Sequence, residues 1–370
     1  MAKYKIINSA IIPVALLCSL MTCPSYAVQN ASLSDTRLHG GYAAAGFLNG
    51  QNQQFFAGMV SEMYPDSNFD SEINSPVYIA MLSQSADLMT SEMHNTLDVH
   101  LQQQRLQHTE AGKFSVFGGY SGGNTQEKYK TWKGENRTTH TSPSHNFSLG
   151  MGYQFTDNWQ GGVLFSAHEQ HVNSSGFSYS FDSTMSTAYS QLTFMDKGWI
   201  NADFHYALLD YGDTVRKYRQ MNENHYEEGK TSGYQSGVRV QGGWNFSLSE
   251  HFSTGPVVSY AMDKTQVKAF TERHKGDNSM HFDDDTRYSK IGSFGWRFES
   301  KNLPLNPWAQ VMYSHQFDDV TTGHNNWGDA AAGVSVPLGK NVNVYAGMST
   351  VSGQNYHHPA IWNAGINMTF

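Results

Sequence analysis

About twelve stretches of some ten residues, each apolar at every second position, run from near Lys113 to Phe370. The last is the plainest. In the segment that closes with "NAGINMTF", Ala360, Trp362, Ala364, Ile366, Met368 and Phe370 alternate with Ile361, Asn363, Gly365, Asn367 and Thr369. A period of two belongs to the strand, where successive side chains point to opposite faces. In "SHNFSLGMGYQF", Phe147, Leu149, Met151, Tyr153 and Phe155 oppose Asn146, Ser148, Gly150, Gly152 and Gln154. In "WINADFHYAL", Ile200, Ala202, Phe204, Tyr206 and Leu208 oppose Asn201, Asp203 and His205. "GDAAAGVSVPL" repeats the pattern, with Ala330, Ala332, Val334, Val336 and Leu338 on the apolar side. Each stretch has the roughly nine to eleven residues that a tilted strand needs to cross a bilayer. Lipid offers no partner for a backbone N–H or C=O, so such a sheet must close on itself.

The expected strands begin near Lys113, Ser144, Trp159, Phe177, Lys197, Lys230, Phe252, Thr286, Pro307, Trp327, Asn341 and Ile361. Their connections alternate in length. Short turns are read at 156–158, 196–197, 249–251, 301–306 and 339–341, and longer polar loops near 122–143, 213–229, 271–285, 319–326 and 353–359, with a tighter one at 174–176. Short turns at one end and longer loops at the other are the pattern of an outer-membrane barrel. The 34 Gly, 20 Tyr, 21 Phe and 8 Trp beside only 15% charged residues agree with it. A soluble β-sandwich or solenoid would also alternate, but it leaves the strand length and the leader described next unexplained. Trp159, Trp199, Trp308, Trp327 and Trp362 are expected to form girdles at the two interfaces.

Lys3 and Lys5, the apolar run "IIPVALLCSLM" and the small residues Ser25 and Ala27 read as a secretory signal peptide over residues 1–27. Both cysteines, Cys18 and Cys23, fall inside it, so disulfides would not hold the exported chain. The chain carries 24 Lys+Arg against 32 Asp+Glu; without Lys3 and Lys5 the balance is 22 against 32, or −10. That excess of negative charge argues against nucleic acid as a partner.

Residues 85–108, "SADLMTSEMHNTLDVHLQQQRLQH", contain neither Gly nor Pro and carry Met89, Met93, Leu97 and Leu101 at intervals of four. Arg105 continues that spacing. The other faces are polar, so the segment reads as a helix with one narrow apolar stripe. A barrel of this size has a polar lumen wide enough for one helix, and the helix is placed there, with Arg105 paired to a luminal carboxylate such as Asp203. The fold expected is therefore an all-β transmembrane barrel of about 12 antiparallel strands with an N-terminal helix in its lumen.

A leader, a helix and about twelve strands that finish on Phe370 resemble the translocator of a type V secretion autotransporter. The barrel that carries GDSL-type lipase or esterase passengers is the nearest likeness. It is borne by "NSPVYIAMLSQSADLMTSEMHNTLDVHLQQQ" ahead of the barrel, by 267–299 and by "WAQVMYSHQFDD" at 308–319. The resemblance implies export through the Sec translocon and escort by periplasmic chaperones. It further implies insertion by the barrel assembly machinery, which reads the final strand at Phe370, Met368 and Ile366, and a barrel that works as a monomer in outer-membrane lipid. It also implies help with export of an N-terminal passenger, with no cofactor. Four regions are expected: signal peptide 1–27, a short passenger remnant and linker 28–84, a luminal helix 85–108 and the barrel 109–370.

The passenger departs from that family. Asp35 and His39 in "LSDTRLHGGYAAAGF" stand four apart rather than three, and no Ser in an oxyanion-forming Gly context precedes them. A triad needs nucleophile, base and orienter together, so no catalytic residue is assigned and the protein is not read as an enzyme. No metal site is assigned either: His357 and His358 are adjacent, and Asp283, Asp284 and Asp285 lack calcium-loop spacing. "GGYSGG" (118–123) is no phosphate loop, and its glycines suit close approach of a strand to the helix. A porin-like channel with an open lumen is the alternative reading, and a surface esterase a more distant one.

Overall fold

The computed structural model describes residues 75–370, apart from 108, 131–135, 139, 142–143, 174–176, 221–222, 274–278, 318–324 and 354–355. The expected signal peptide, Asp35 and His39 lie outside the described residues. Among the described residues one helix, α1, spans Ser75–Gln107. Twelve long strands follow: β1 (Phe114–Lys130), β2 (His145–Thr156), β3 (Trp159–Asn173), β4 (Phe177–Phe194), β5 (Gly198–Gln220) and β6 (Glu223–Trp244); then β7 (Phe252–Val267), β8 (Asp285–Ser300), β9 (Asn306–Gln316), β10 (Asn326–Pro337), β11 (Val342–Gly353) and β12 (Tyr356–Thr369).

Each strand pairs antiparallel with the next, and β12 returns to β1, so the sheet closes into a barrel of twelve strands. The closing register sets Val116 against Met368, Gly118 against Ile366 and Tyr120 against Ala364. Phe114 and Phe370 exchange backbone bonds: Phe370 N–H donates to Phe114 C=O at 2.8 Å, and Phe114 N–H to Phe370 C=O at 3.3 Å. The closure leaves neither the first nor the last of the twelve strands without a second partner strand. The closing strand therefore uses its last residue to complete the ladder.

Alternation separates the two faces. Phe147, Leu149 and Met151 of β2 are exposed outward while Asn146 and Ser148 between them are fully buried. Phe204, Tyr206 and Leu208 of β5 are likewise exposed, whereas Asn201, Asp203 and His205 are buried inside. An exposed apolar band around a buried polar interior suits a sheet whose outer solvent is lipid. Among the described residues no helix is long and apolar enough to cross a membrane.

Ten of the twelve strands begin within two residues of the positions read from the sequence. The two that do not are instructive. β6 starts at Glu223 rather than Lys230, because the expected loop 213–229 is largely a paired extension of the β5–β6 hairpin, from Thr214 opposite Gly229 to Gln220 opposite Glu223. A register shift between Tyr211 and Thr214 marks where the extension begins. It exceeds what a bilayer crossing requires, so neither face is lipid-facing and no apolar alternation betrays it. β12 starts at Tyr356 rather than Ile361, which places His357 and His358 in a strand instead of the expected loop.

The tryptophan girdle is also corrected. Trp159 and Trp362 are exposed outward as expected, but Trp199 is 1% exposed and points into the lumen. Trp308 packs over Gly333 and Gly347 on the luminal face, and Trp327 lines a luminal cavity. Strand parity decides this: Trp199 shares its side with Asn201 and Asp203, not with Ile200 and Phe204.

Candidate functional site, the helix-filled lumen

α1 occupies the lumen as expected, but begins at Ser75, ten residues ahead of the start read from the sequence. Pro76 hid that start. A proline in the first turn has no helical N–H bond to lose, so it opens a helix rather than breaking one. The contacts of α1 fix its direction. Its early turns meet strand ends at the loop side, with Ser85 Oγ 2.9 Å from Tyr179 Oη and Arg287 donating to Asp87 at 2.8 Å. Its last turns meet the turn side, where Gln104 Nε2 donates to Asn367 at 3.4 Å and to Thr369 at 3.3 Å. The helix therefore runs antiparallel to β1, with its N-terminus at the loop end.

The apolar stripe faces one wall. Met89, Met93, Leu97 and Leu101 are 0–1% exposed and join a core containing Phe117, Leu164, Phe181, Met185 and Tyr189. Toward the loop end this core widens to include Leu82, Phe177, Tyr211, Val267, Phe270 and Phe282. Phe270 and Phe282 stack with ring centres 4.7 Å apart, on a small hairpin made by Phe270–Thr271 and His281–Phe282. This apolar cap was missed in the sequence, where inward positions were expected to be polar. The signal was available in the inward parity of Phe177, Tyr179 and Phe181.

Close approach accompanies the packing. A Cβ built on Gly119 would lie 2.5 Å from the Tyr345 hydroxyl and 3.2 Å from a methyl of Thr96 on α1. So the expectation for "GGYSGG" holds at Gly119, where only a missing side chain lets the strand come this near the helix. His100 stacks flat on Phe117 at 3.6 Å and its Nε2 lies 3.1 Å from Tyr189 Oη.

Polar groups lock the helix at three heights. About halfway along the helix, Glu92, fully buried, accepts from Ser144 Oγ, and one of its oxygens lies 3.0 Å from His168 Nδ1. Further along, Arg239 of β6 donates two bonds to Asp98 of the helix, at 2.9 and 2.7 Å, and a third to Asp203 of β5 at 2.9 Å. His94 Nε2 lies 3.1 Å from the other Asp203 oxygen. At the base Arg105 pairs with Glu299 and lies over the Trp199 ring, 4.4 Å from its centre. Glu299 also accepts from Asn245 at 3.2 Å and lies 2.6 Å from Arg297 Nε.

Arg105 is therefore luminal, but its carboxylate is Glu299, not the expected Asp203. Arg105 sits in the last turn of α1 and Glu299 near the turn end of β8, whereas Asp203 lies mid-strand beside His94. A charge removed from water is tolerated only when paired and hydrogen-bonded, and each of these is. What the arrangement does is physical rather than chemical: it fills the lumen and holds the filler by ion pairs to several strands.

On the other side the helix stands off the wall. Asp87, Ser91, His94, Asn95 and Asp98 face a cavity of about 270 Å³ bounded opposite by β8–β11. Ser289, Gln310, Ser314 and Asp329 are among its wall groups. Asn95 Nδ2 reaches across to Ser349 Oγ at 3.2 Å.

The model of the autotransporter beta-domain family matches residues 116–349. Among curated proteins, Lipase 1 of Photorhabdus luminescens is 29% identical over 320 residues, covering 81% of this chain and 47% of that protein. The chain thus spans about half the length of this relative. The translocator domain of the autotransporter NalP from Neisseria meningitidis aligns with a TM-score of 0.65 at 15% identity, over 78% of this chain and 99% of that one. The β-domain of the Bordetella autotransporter BrkA aligns with a TM-score of 0.52 at 16% identity, over 69% and 98%. At such identity the two structures speak to the fold alone, but the family match extends over more than half of the sequence. A closed barrel of twelve strands threaded by a helix, matched along most of its wall, belongs to the autotransporter β-domain family.

Proposed function

We propose that this outer-membrane translocator barrel carries its own N-terminal segment to the cell surface and then keeps α1 as the plug of its lumen. The observation that carries the reading is the polarity of the helix, whose start at Ser75 lies at the loop end while Gln107 lies at the turn end. Chain ahead of the helix is thereby delivered to the loop side. The final strand, with Ile366, Met368 and Phe370 on its outer face, serves as the element read by the barrel assembly machinery. The segment delivered is residues 28–74, since 75–84 belong to the helix.

Protease treatment of intact cells, followed by mass spectrometry of the protected fragments, tests this. Cleavage within 28–74 and in the loop-end connections is expected without permeabilising the cells. Cleavage of that segment only after the outer membrane is opened would overturn the export reading while leaving the barrel intact.

The barrel is not itself catalytic. A hydrolase passenger is the second reading, favoured by the relationship to Lipase 1. Turnover of a p-nitrophenyl ester by whole cells, lost on substitution of Asp35 or His39, would establish it.

A further inference from the structure

Midway along the lumen three metal-competent groups converge from two elements. One ligand atom from each of His94 on α1 and Asp203 and His205 on β5 lies within 4.8 Å of the others, with His94 Nε2 and His205 Nδ1 both turned toward Asp203 Oδ1. His94 Nε2 is 3.1 Å from that oxygen, and His205 Nδ1 is 3.7 Å from it. A tetrahedral ion with bonds of about 2.0–2.1 Å places its donors about 3.4 Å apart. Two edges of the triangle are near that size, and the third is within 4.8 Å.

A second observation points the same way. His205 is 0% exposed, and its Nδ1 has no hydrogen-bond partner. A buried polar atom without a partner is costly, and this one is aimed at Asp203. The other ring nitrogen is occupied: His205 Nε2 lies 2.9 Å from Asp263 Oδ1. A ligating histidine whose second nitrogen is held by a carboxylate is the usual outer arrangement of a metal site. Asp203 is oriented in the same manner, since its Oδ2 accepts from Arg239 Nε at 2.9 Å while Oδ1 is turned toward His94 Nε2, 3.1 Å away.

Charge agrees with geometry. Asp98, Asp203 and Asp263 bring three carboxylates around the two histidines, and Arg239 pairs with the first two of them. A set rich in carboxylates attracts a cation. Gly237 belongs to it sterically, since a Cβ there would come within 2.0 Å of Asp263 Oδ1 and 2.6 Å of His205 Nε2. The luminal cavity borders the site, since His94, Asp98, Arg239 and Asp263 help to line it.

We propose that His94, Asp203 and His205 bind one divalent ion of the zinc type, which fastens the luminal helix to the barrel wall. Two imidazoles and one carboxylate suit zinc, cobalt or nickel rather than calcium or magnesium, which take oxygen ligands. The fourth position opens to the cavity and takes water. Sequence spacing could not disclose the site, because His94 and Asp203 lie 109 residues apart.

The test is calorimetric titration of zinc chloride into the untagged full chain in detergent micelles, after stripping with a chelator. One ion per chain is expected. His94→Gln and His205→Gln should each abolish that binding step, and Asp263→Asn should weaken it about 10- to 100-fold. The double variant H357Q/H358Q should retain it. Cobalt should give the visible absorption of a four-coordinate site, lost in His94→Gln. The folded state of each variant is read from gel mobility with and without heating; His94→Gln alters only the helix and leaves every barrel strand intact. Absence of saturable zinc binding overturns the proposal, as does binding unchanged in both histidine variants.

Discussion

The lumen has two unlike halves. Against β1–β5 the helix is packed dry: Met93 and Leu97 are 0% exposed, and Gly119 lets the wall come within side-chain contact. Against β8–β11, Ser289, Gln310, Ser314, Asp329 and Ser349 are among the inward groups, and a cavity of about 270 Å³ separates this wall from the helix. The cause is the helix itself, which has a single apolar stripe. One face can satisfy the hydrophobic effect against one wall, while the polar remainder is served as well by water as by protein. The difference teaches how a plug can be held along one wall and still leave a polar cavity beside it.

Removing the plug should have the largest effect. The intact protein should pass only a small single-channel current in planar bilayers, confined to the open half. Deleting residues 28–107 should raise it to that of a wide pore. Equal currents from both would deny that α1 closes the lumen, and a large current from the intact protein would favour a porin-like role.

Point substitutions probe the halves separately. Leu97→Ala, on the dry side, should cost about 2–5 kcal/mol in denaturant unfolding. Asn95→Ala, whose partner Ser349 borders the cavity, should stay within about 0.5 kcal/mol because water can replace the lost bond. Similar costs for the two would erase the distinction.

Steric additions sharpen it further. Gly119→Val should destabilise by roughly 1–3 kcal/mol through overpacking against Thr96 and Tyr345. Ala331→Leu, growing into the cavity, should leave stability nearly unchanged and reduce the residual current. The smallest effect on the lumen is expected from deletion of Phe370. It should lower the amount of protein in the outer membrane, measured by immunoblot of membrane fractions, without changing the conductance of those barrels that do insert.

How much of this was legible differs by element. The starts of β2 and β5 could be placed to within one residue, since one face meets lipid and the other a polar lumen, and period-two alternation reports both. The β5–β6 extension beyond Tyr211 was not legible, because pairing outside the bilayer needs no apolar face. The helix was visible in Met89, Met93, Leu97 and Leu101, though its first ten residues were concealed by Pro76. Trp199 shows the remaining gap: its type suggested an interface, and only strand parity and the helix opposite put it inside.

By itself the sequence determined the barrel, the strand count and the closing strand, because alternation follows from each strand's own two environments. Only the tertiary structure decided that Arg105 meets Glu299 and that Asp98 shares Arg239 with Asp203. It also decided that His94 arrives beside Asp203 and His205. Those partners depend on the rotation and height of the helix within the lumen, which are set by where one apolar stripe finds its wall. No local periodicity carries that information.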